Sequence, residues 1–327
     1  MFISRTPVIV PVPLFLGSNP VPDPPLVAVV GSTAAGKSEL AVGLARALGG
    51  EVVNADSMQL YRGMDIGTAK LGLDARAGVP HHLLDVLDVT EPATVAEFQR
   101  WAREAVDECR SRGVPPVLVG GSALYVRAVL DRFEFPGTDP DVRRALEAEL
   151  DRHGPRRLYE RLCEQDPEAA ARILPANGRR IVRALEVIAL SGRPFTATLP
   201  GHTYEYDDVR QVGIDVPRPV LDERIAVRVD RMWAAGLVEE VRLLEGAGLR
   251  EGRTASRALG YAQVLRYLAG EIDEDAAREQ TVYATRRFAR RQDSWFRKDP
   301  RIVWVKYDEP DLVGSALAAA ELETSRG

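Results

Sequence analysis

The chain has 327 residues, 45% apolar and 28% charged, which suits one large or two ordinary domains around a substantial core. Its net charge of −5 argues against blanket nucleic-acid binding, and with no apolar run of about eighteen residues it has no helical membrane span. The two cysteines, Cys109 and Cys163, have no metal-type spacing and fit a reducing compartment.

Residues 1–25 hold Pro7, Pro11, Pro13, Pro20, Pro22, Pro24 and Pro25. Prolines at that density rule out regular structure, so the stretch reads as a disordered extension or a mis-assigned start, and not a secretion signal. Leu26–Val30 is an uninterrupted apolar run, as expected of a parallel strand covered on both faces. Gly31-Ser32-Thr33-Ala34-Ala35-Gly36-Lys37-Ser38 follows, and then Leu40, Ala41, Leu44, Ala45 and Leu48 at helical spacing. Strand, G-x-x-x-x-G-K-S turn and helix in that order make a P-loop. Its backbone N–H groups close around phosphate oxygens, Lys37 adds a full charge, and the Ser38 hydroxyl can ligate Mg²⁺. The motif names a polyphosphate and leaves ATP, GTP and a diphosphate ester open.

Glu51–Asn54 reads as the second strand and runs into Asp56-Ser57-Met58-Gln59. Carboxyl ends of parallel strands line the ligand crevice, which places Asp56 near the P-loop. There it can hold Mg²⁺ through water, take a proton, or merely cap the next turn. A polar, glycine-bearing loop spans Tyr61–Lys70, and His81 and His82 point to opposite sides of a strand, a poor metal pair read as structural. Val95, Phe98, Ala102, Ala105, Val106 and Cys109 mark a helix that Gly113 stops, with Cys109 in the core. Pro116–Val119 is a third strand, ending in Gly120-Gly121-Ser122. The Ser122 hydroxyl lies across the crevice from Asp56 or caps the following helix.

From about Thr138 to Gly192 strand signals vanish, and the stretch reads as an arginine-rich helical insertion. Arg179, Arg180 and Arg183 share a face there at i, i+3 and i+4 spacing. Gln211–Val216 returns to strand character, Arg224–Glu245 reads as one long amphipathic helix, and Ser256–Tyr261 as a loop before another helix. A basic helix with aromatics covers Arg286–Lys298, and Arg301–Val305 is the last strand. On charge alone that basic face is better explained by solvation than by phosphate contact. The expected architecture is α/β: a P-loop NTPase-like parallel sheet core over 26–137 and 206–310. An α-helical insertion domain at 138–205 and a C-terminal tail at 311–327 complete it.

Six motifs stand together: G-S-T-A-A-G-K-S at 31–38, N-A-D-S-M-Q-L-Y-R-G-M-D-I-G-T-A-K at 54–70, P-H-H-L-L-D at 80–85, V-G-G-S-A-L-Y at 119–125, R-A-L-E-V at 183–187 and L-G-Y at 259–261. In this order they closely resemble the tRNA dimethylallyltransferase family, across about residues 26–306. The resemblance implies transfer of a dimethylallyl group from dimethylallyl diphosphate to N6 of adenosine 37, beside the anticodon, in tRNAs that read codons beginning with U. The P-loop, Gly31, Ser32, Thr33, Ala34, Ala35, Gly36, Lys37 and Ser38, then holds a diphosphate leaving group. Mg²⁺ sits at Ser38, with Asp56 through water. Asp56 matches the family's general base. Ser122 stands where the family usually has Thr, a position contacting tRNA; Ser keeps the hydrogen bond and loses a methyl contact.

The resemblance further implies anticodon-loop contacts from Asp56, Ser57, Met58 and Gln59 around the target base, and from Arg143. It adds Arg179, Arg180, Ile181, Val182 and Arg183, and also Arg257, Ala258, Leu259, Gly260, Tyr261 and Ala262. Ser32 and Ala35 depart from the residues common in the family, without loss of essential chemistry. The target adenosine must leave its stack to reach Asp56, with the insertion and the 286–298 segment clamping the anticodon stem. A monomeric, cytoplasmic enzyme is expected. Three other readings stay open: an ATP-using small-molecule kinase with the insertion as its lid, an adenylate isopentenyltransferase, and a non-catalytic P-loop switch that binds RNA.

Overall fold

The computed structural model describes residues 23–133, 135, 137–195 and 201–322. Of the 1–25 extension only 23–25 fall within this range, where Asp23 pairs with Arg110 at 3.3 Å.

Six parallel strands form one sheet: β1 (Leu26–Val30), β2 (Glu51–Asn54), β3 (His81–His82), β4 (Pro116–Gly120), β5 (Val209–Asp215) and β6 (Ile302–Lys306), in the order β3-β2-β4-β1-β5-β6. Each residue of β1 is fully buried, with Leu26, Ala28 and Val30 facing one core and Val27 and Val29 the other. That two-sided burial is why the strand reads as an unbroken apolar run. On one face lie α1 (Lys37–Leu48) and the last helix, α11 (Leu312–Ala319), which the Ala-rich tail had not signalled. On the other lie α2 (Val95–Ser111) and α3 (Ala123–Leu130).

The crossover rule and the register decide where the chemistry can be. Val30 pairs with Gly120 and Asn54 with Val119, so the carboxyl ends of β1, β2 and β4 come out side by side. Gly120 makes this approach close: a Cβ there would stand 2.6 Å from the Ala55 carbonyl oxygen.

Between α3 and β5 three helices, α4 (Pro140–Gln165, broken at Gly154), α5 (Pro167–Arg172) and α6 (Gly178–Ser191), pack around their own apolar cluster, including Leu158, Leu162, Ile181 and Leu185. The chain leaves the core at Asp131 and returns at Tyr204, which form an antiparallel bridge. A buried ionic knot fastens that root, with Arg127 and Arg301 both on Asp131 at 2.7 Å.

Beyond β5 the expected single helix over Arg224–Glu245 is two, α7 (Arg218–Ala234) and α8 (Leu237–Gly246). Gly236, with φ 97°, breaks them. The apolar period continues across that break, which is why the sequence pattern hid it. Then come α9 (Tyr261–Leu268) and the 23-residue α10 (Glu274–Phe296), which packs on α7, α9 and α3 and reaches back to the P-loop.

Candidate active site

The P-loop has left-handed backbone at Gly36 (φ 99°) and Ala34 (φ 64°), which turns the chain tightly into α1. Lys37 lies inside this turn and donates from Nζ to the Ser32 carbonyl at 2.7 Å. Burial, then the neighbouring Arg228 guanidinium, push its ammonium down to about 8. Arg228, half-buried at the mouth of the turn, is held below its ordinary range chiefly by desolvation, and donates to the Thr68 carbonyl at 3.2 Å. Two desolvated cations set against each other, with Asp56 and Glu39 acting on both from outside the turn, are a site preorganised for a polyphosphate.

α10 sets the loop's position. Ser32 Oγ donates to the Ala289 carbonyl at 3.1 Å. Gln292 accepts from the Thr33 N–H at 2.8 Å and donates to the Gly121 carbonyl at 2.7 Å, bridging the loops after β1 and β4. This clamp was not anticipated. Its signal is that Gln292 falls on the buried stripe of α10 with Ala289 and Phe296. Gln292→Ala should leave both partners unsatisfied, lower stability by about 1–3 kcal/mol, and weaken pyrophosphate binding about tenfold. Thermal melts and calorimetric titration with pyrophosphate check this; unchanged affinity would mean that the loop holds its shape unaided.

At the end of β2, Asn54 ties down the turn, accepting from the Asp56 N–H at 2.9 Å and donating to the Asp56 and Leu83 carbonyls. Asp56 Oδ1 accepts from the Met58 N–H at 2.9 Å, so the carboxylate is also a turn cap. It lies close enough to Lys37 and Arg228 for its charge to stabilise both cations. Ser122 occupies the N-cap position of α3 but its hydroxyl caps nothing. Thr33, Asp56, Ser57, Met58 and Ser122 line one half-enclosed cavity of about 350 Å³, with Arg257–Leu259 and Tyr261 as its far wall. Arg228 joins it to a second, cationic cavity of about 800 Å³ that Lys37, Ser38, Lys70, Arg224 and Arg231 line. An anion held at Lys37 therefore has a carboxylate and a hydroxyl ahead of it and a basic approach behind.

Residues 59–299 match the family described as IPP transferase. The chain belongs to that family. A tRNA dimethylallyltransferase from Nocardioides sp. is 65% identical across 90% of this chain and 95% of its own length. One from Salinispora arenicola is 67% identical across 90% and 86%. Among solved structures, the full-length tRNA isopentenylpyrophosphate transferase of Bacillus halodurans has a TM-score of 0.66 at 39% identity, covering 91% of this chain and 94% of that one. A eukaryotic dimethylallyltransferase, solved in snapshots of its action on tRNA, has a TM-score of 0.78 over 92% of this chain and 81% of that one. At 24% identity the likeness speaks for the fold alone.

The remaining segments singled out in the sequence divide by exposure. Arg179, Arg180 and Arg257 are exposed. With Arg143 and Arg253 they line a cavity of about 670 Å³ between the helical unit and the core. Ile181 and Val182 are buried in the α4–α6 core, so that segment presents its arginines. Arg183 does not share their exposed face: both it and Arg143 bind the fully buried carboxylate of Glu186. Ala258 and Tyr261 are buried, Leu259 and Ala262 half-buried, and Gly260 (φ 87°) turns the chain into α9.

Two clamps went unread in the sequence. The Glu240 carboxylate accepts from the N–H groups of Asp65, Ile66 and Gly67 and from the Tyr261 hydroxyl, the last at 2.6 Å. It fixes the loop whose Thr68 carbonyl holds Arg228 and Gln59. At the far edge, Cys109 is buried as expected, but Glu51, His82 and Cys109 converge, their ligand-type atoms within 4.8 Å. Arg112 grips both Glu51 oxygens at 2.7 and 2.8 Å and, with His82, holds that carboxyl down to about 2. The group ties β2 to β3 and α2.

Proposed function

We propose that the protein transfers a dimethylallyl group from dimethylallyl diphosphate to N6 of adenosine 37 in tRNA, in the cytoplasm and as a monomer. The observation that carries this reading is the single cavity in which Thr33 of the P-loop, Asp56 and Ser122 meet. The relatives' names supply the acceptor class. P-loop amides, Lys37 and Arg228 neutralise the diphosphate as the allylic C1–O bond breaks and its electron pair passes to the bridging oxygen. The N6 lone pair forms the new N–C1 bond. Asp56 takes the N6 proton, which matters because that lone pair is delocalised into the purine and the amine is a weak nucleophile. Pyrophosphate leaves, and Ser122 steers the extruded base by a hydrogen bond.

Ser38 Oγ and the Asp56 carboxylate are hard oxygen donors on the two sides of the cradle, and Asp56 forms no ion pair among the described residues. They fit Mg²⁺, Ser38 directly and Asp56 through water, and the ion would add further neutralisation of the diphosphate. The anticodon stem-loop is assigned to the cavity between the helical unit and the core. Arg180→Ala should weaken its binding in a salt-dependent way, lowering the salt slope by about 1, with donor affinity unchanged. Unchanged RNA affinity at low salt would remove α6 from the interface.

Mass spectrometry of tRNA nucleosides after incubation with dimethylallyl diphosphate and Mg²⁺ tests the reaction itself. Isopentenyladenosine is the expected product. ATP turnover without prenyl transfer, or prenylation of free AMP in preference to RNA, would overturn the proposal.

A further inference from the structure

β2 begins at Glu51, at the opposite end of the strand from the turn that carries Asp56. Side chains alternate along a strand, so Glu51 points the same way as Val53, which packs in one core with Phe98 and Ala102 of α2. Val53 pairs with His82 of β3, and directly paired residues share a face. His81 points the other way and bonds the Val79 carbonyl at 2.8 Å. The adjacent histidines therefore make no metal pair with each other, but His82 meets ligands from two other elements. The third of these is Cys109, the last residue of the buried stripe along α2.

A carboxylate, an imidazole and a thiol thus converge on one point. Among the described residues no other group of three His, Cys, Asp or Glu ligands closes to such a distance. His82 Nε2 stands 2.7 Å from Glu51 Oε2, and Cys109 Sγ stands 3.5 Å from the same oxygen and 3.7 Å from Nε2. Around Zn²⁺, with about 2.3 Å to sulfur and about 2.0–2.1 Å to nitrogen or oxygen, the tetrahedral edges from sulfur come to roughly 3.5 Å. Both sulfur edges are already near that length, and the His82–Glu51 hydrogen bond has to open by about 0.6 Å. A plain carboxylate–arginine pair needs neither the imidazole nor the thiol. Sulfur, ring nitrogen and a single carboxylate oxygen suit a borderline-soft cation and not Mg²⁺ or Ca²⁺.

One group already competes for the place. Arg112 donates to both Glu51 oxygens, and its Nη2 lies 3.6 Å from Cys109 Sγ. Its side chain is 43% exposed, and it sits just past the end of α2, before Gly113 with φ 70°. It can swing into solvent without unwinding the helix.

We propose that Glu51, His82 and Cys109 form a binding site for one thiophilic divalent cation of the Zn²⁺ class, and that this cation and the Arg112 guanidinium exclude each other. The cation replaces the guanidinium beside Glu51. The thiol gives its proton to solvent, the neutral imidazole carries its proton on Nδ1 and offers Nε2, and water completes the shell. Bound there, the cation cross-links β2, β3 and α2. The site stands whether or not the chain prenylates RNA.

The probe is Co²⁺, titrated into the tag-free full-length protein under reducing conditions, with Zn²⁺ as competitor. Wild type should develop a thiolate-to-cobalt charge-transfer band at one equivalent, which Zn²⁺ removes. Cys163→Ser should keep the band, whereas Cys109→Ser and His82→Gln should lose it or weaken it strongly. Arg112→Ala should tighten Zn²⁺ binding about tenfold or more, because the competing charge-assisted bonds are gone. Zn²⁺ at about a hundred times its Kd should raise the wild-type Tm by about 5 °C and leave that of Cys109→Ser unchanged. Melts without metal show that each variant is folded. Folded wild type with no band, or a band that survives Cys109→Ser, would overturn the site. Unchanged Zn²⁺ affinity in Arg112→Ala would overturn the exclusion.

Discussion

Asp56→Asn should lower kcat for prenyl transfer by at least ~10²-fold while dimethylallyl diphosphate still binds. The substitution is informative because the carboxylate has two jobs that asparagine separates. An amide oxygen keeps the hydrogen bond from the Met58 N–H, and Asn54 still holds the turn from the other side, so the loop after β2 retains its form. What is lost is the ability to accept a proton from N6. Removing a negative charge from beside Lys37 and Arg228 does not weaken the pull on an anionic donor, so the defect belongs in the chemical step. Single-turnover rates on stem-loop RNA, with donor binding measured separately, distinguish the two. A variant within tenfold of wild type in kcat would take the base away from Asp56 and leave the residue its capping role. It would also favour a P-loop switch that grips RNA without reacting with it.

The parts of this site that were legible in the sequence are those written in local patterns. β1, the P-loop and α1 form one continuous signal, and the ends of β2 and β4 announce themselves by Asp56 and Ser122 directly after apolar runs. The unread parts act across long separations. Gln292 meets Thr33 from 259 positions away, Glu240 meets Asp65 from 175, and Arg228 meets Thr68 from 160. No period or spacing encodes such meetings. The arginines show the same limit. Arg143, Arg179, Arg180 and Arg183 look alike in a basic segment, and only the buried Glu186 divides them: Arg143 and Arg183 reach its carboxylate, whereas Arg179 and Arg180 present themselves at the surface. Within 286–298, Arg286 bonds the Asp222 carbonyl and Arg297 bonds Asp215, whereas Arg291 and Lys298 face a cavity. The choice between a solvated face and a phosphate-binding one therefore has a different answer at each residue.

Lys37→Met should abolish donor binding, by ~10²-fold or more, and at the same time leave the free protein as stable as wild type at pH 7 or more so. The reason lies in the charge that the P-loop stores. In the folded chain the Lys37 ammonium is desolvated and faces Arg228, so it loses its proton near 8 instead of near 10.5. Between those values the unfolded chain binds more protons than the folded one, and stability rises with pH across that window. Below about 8 the folded protein carries the whole penalty, of order 1–3 kcal/mol. Methionine matches the side chain's length and removes the charge, so this penalty and the pH-dependent rise both disappear. Binding a diphosphate reverses the argument: the anion answers both cations, raises Lys37 again, and draws in a proton. Donor affinity in wild type should accordingly fall as pH rises above about 8, with proton uptake detectable by calorimetry in buffers of different ionisation heat. If Lys37→Met melted well below wild type across pH 7–9, or if donor affinity stayed flat from pH 7 to 9, Lys37 would be serving as a structural strut. The strain between Lys37 and Arg228 would then not be the source of the site's grip on a leaving group.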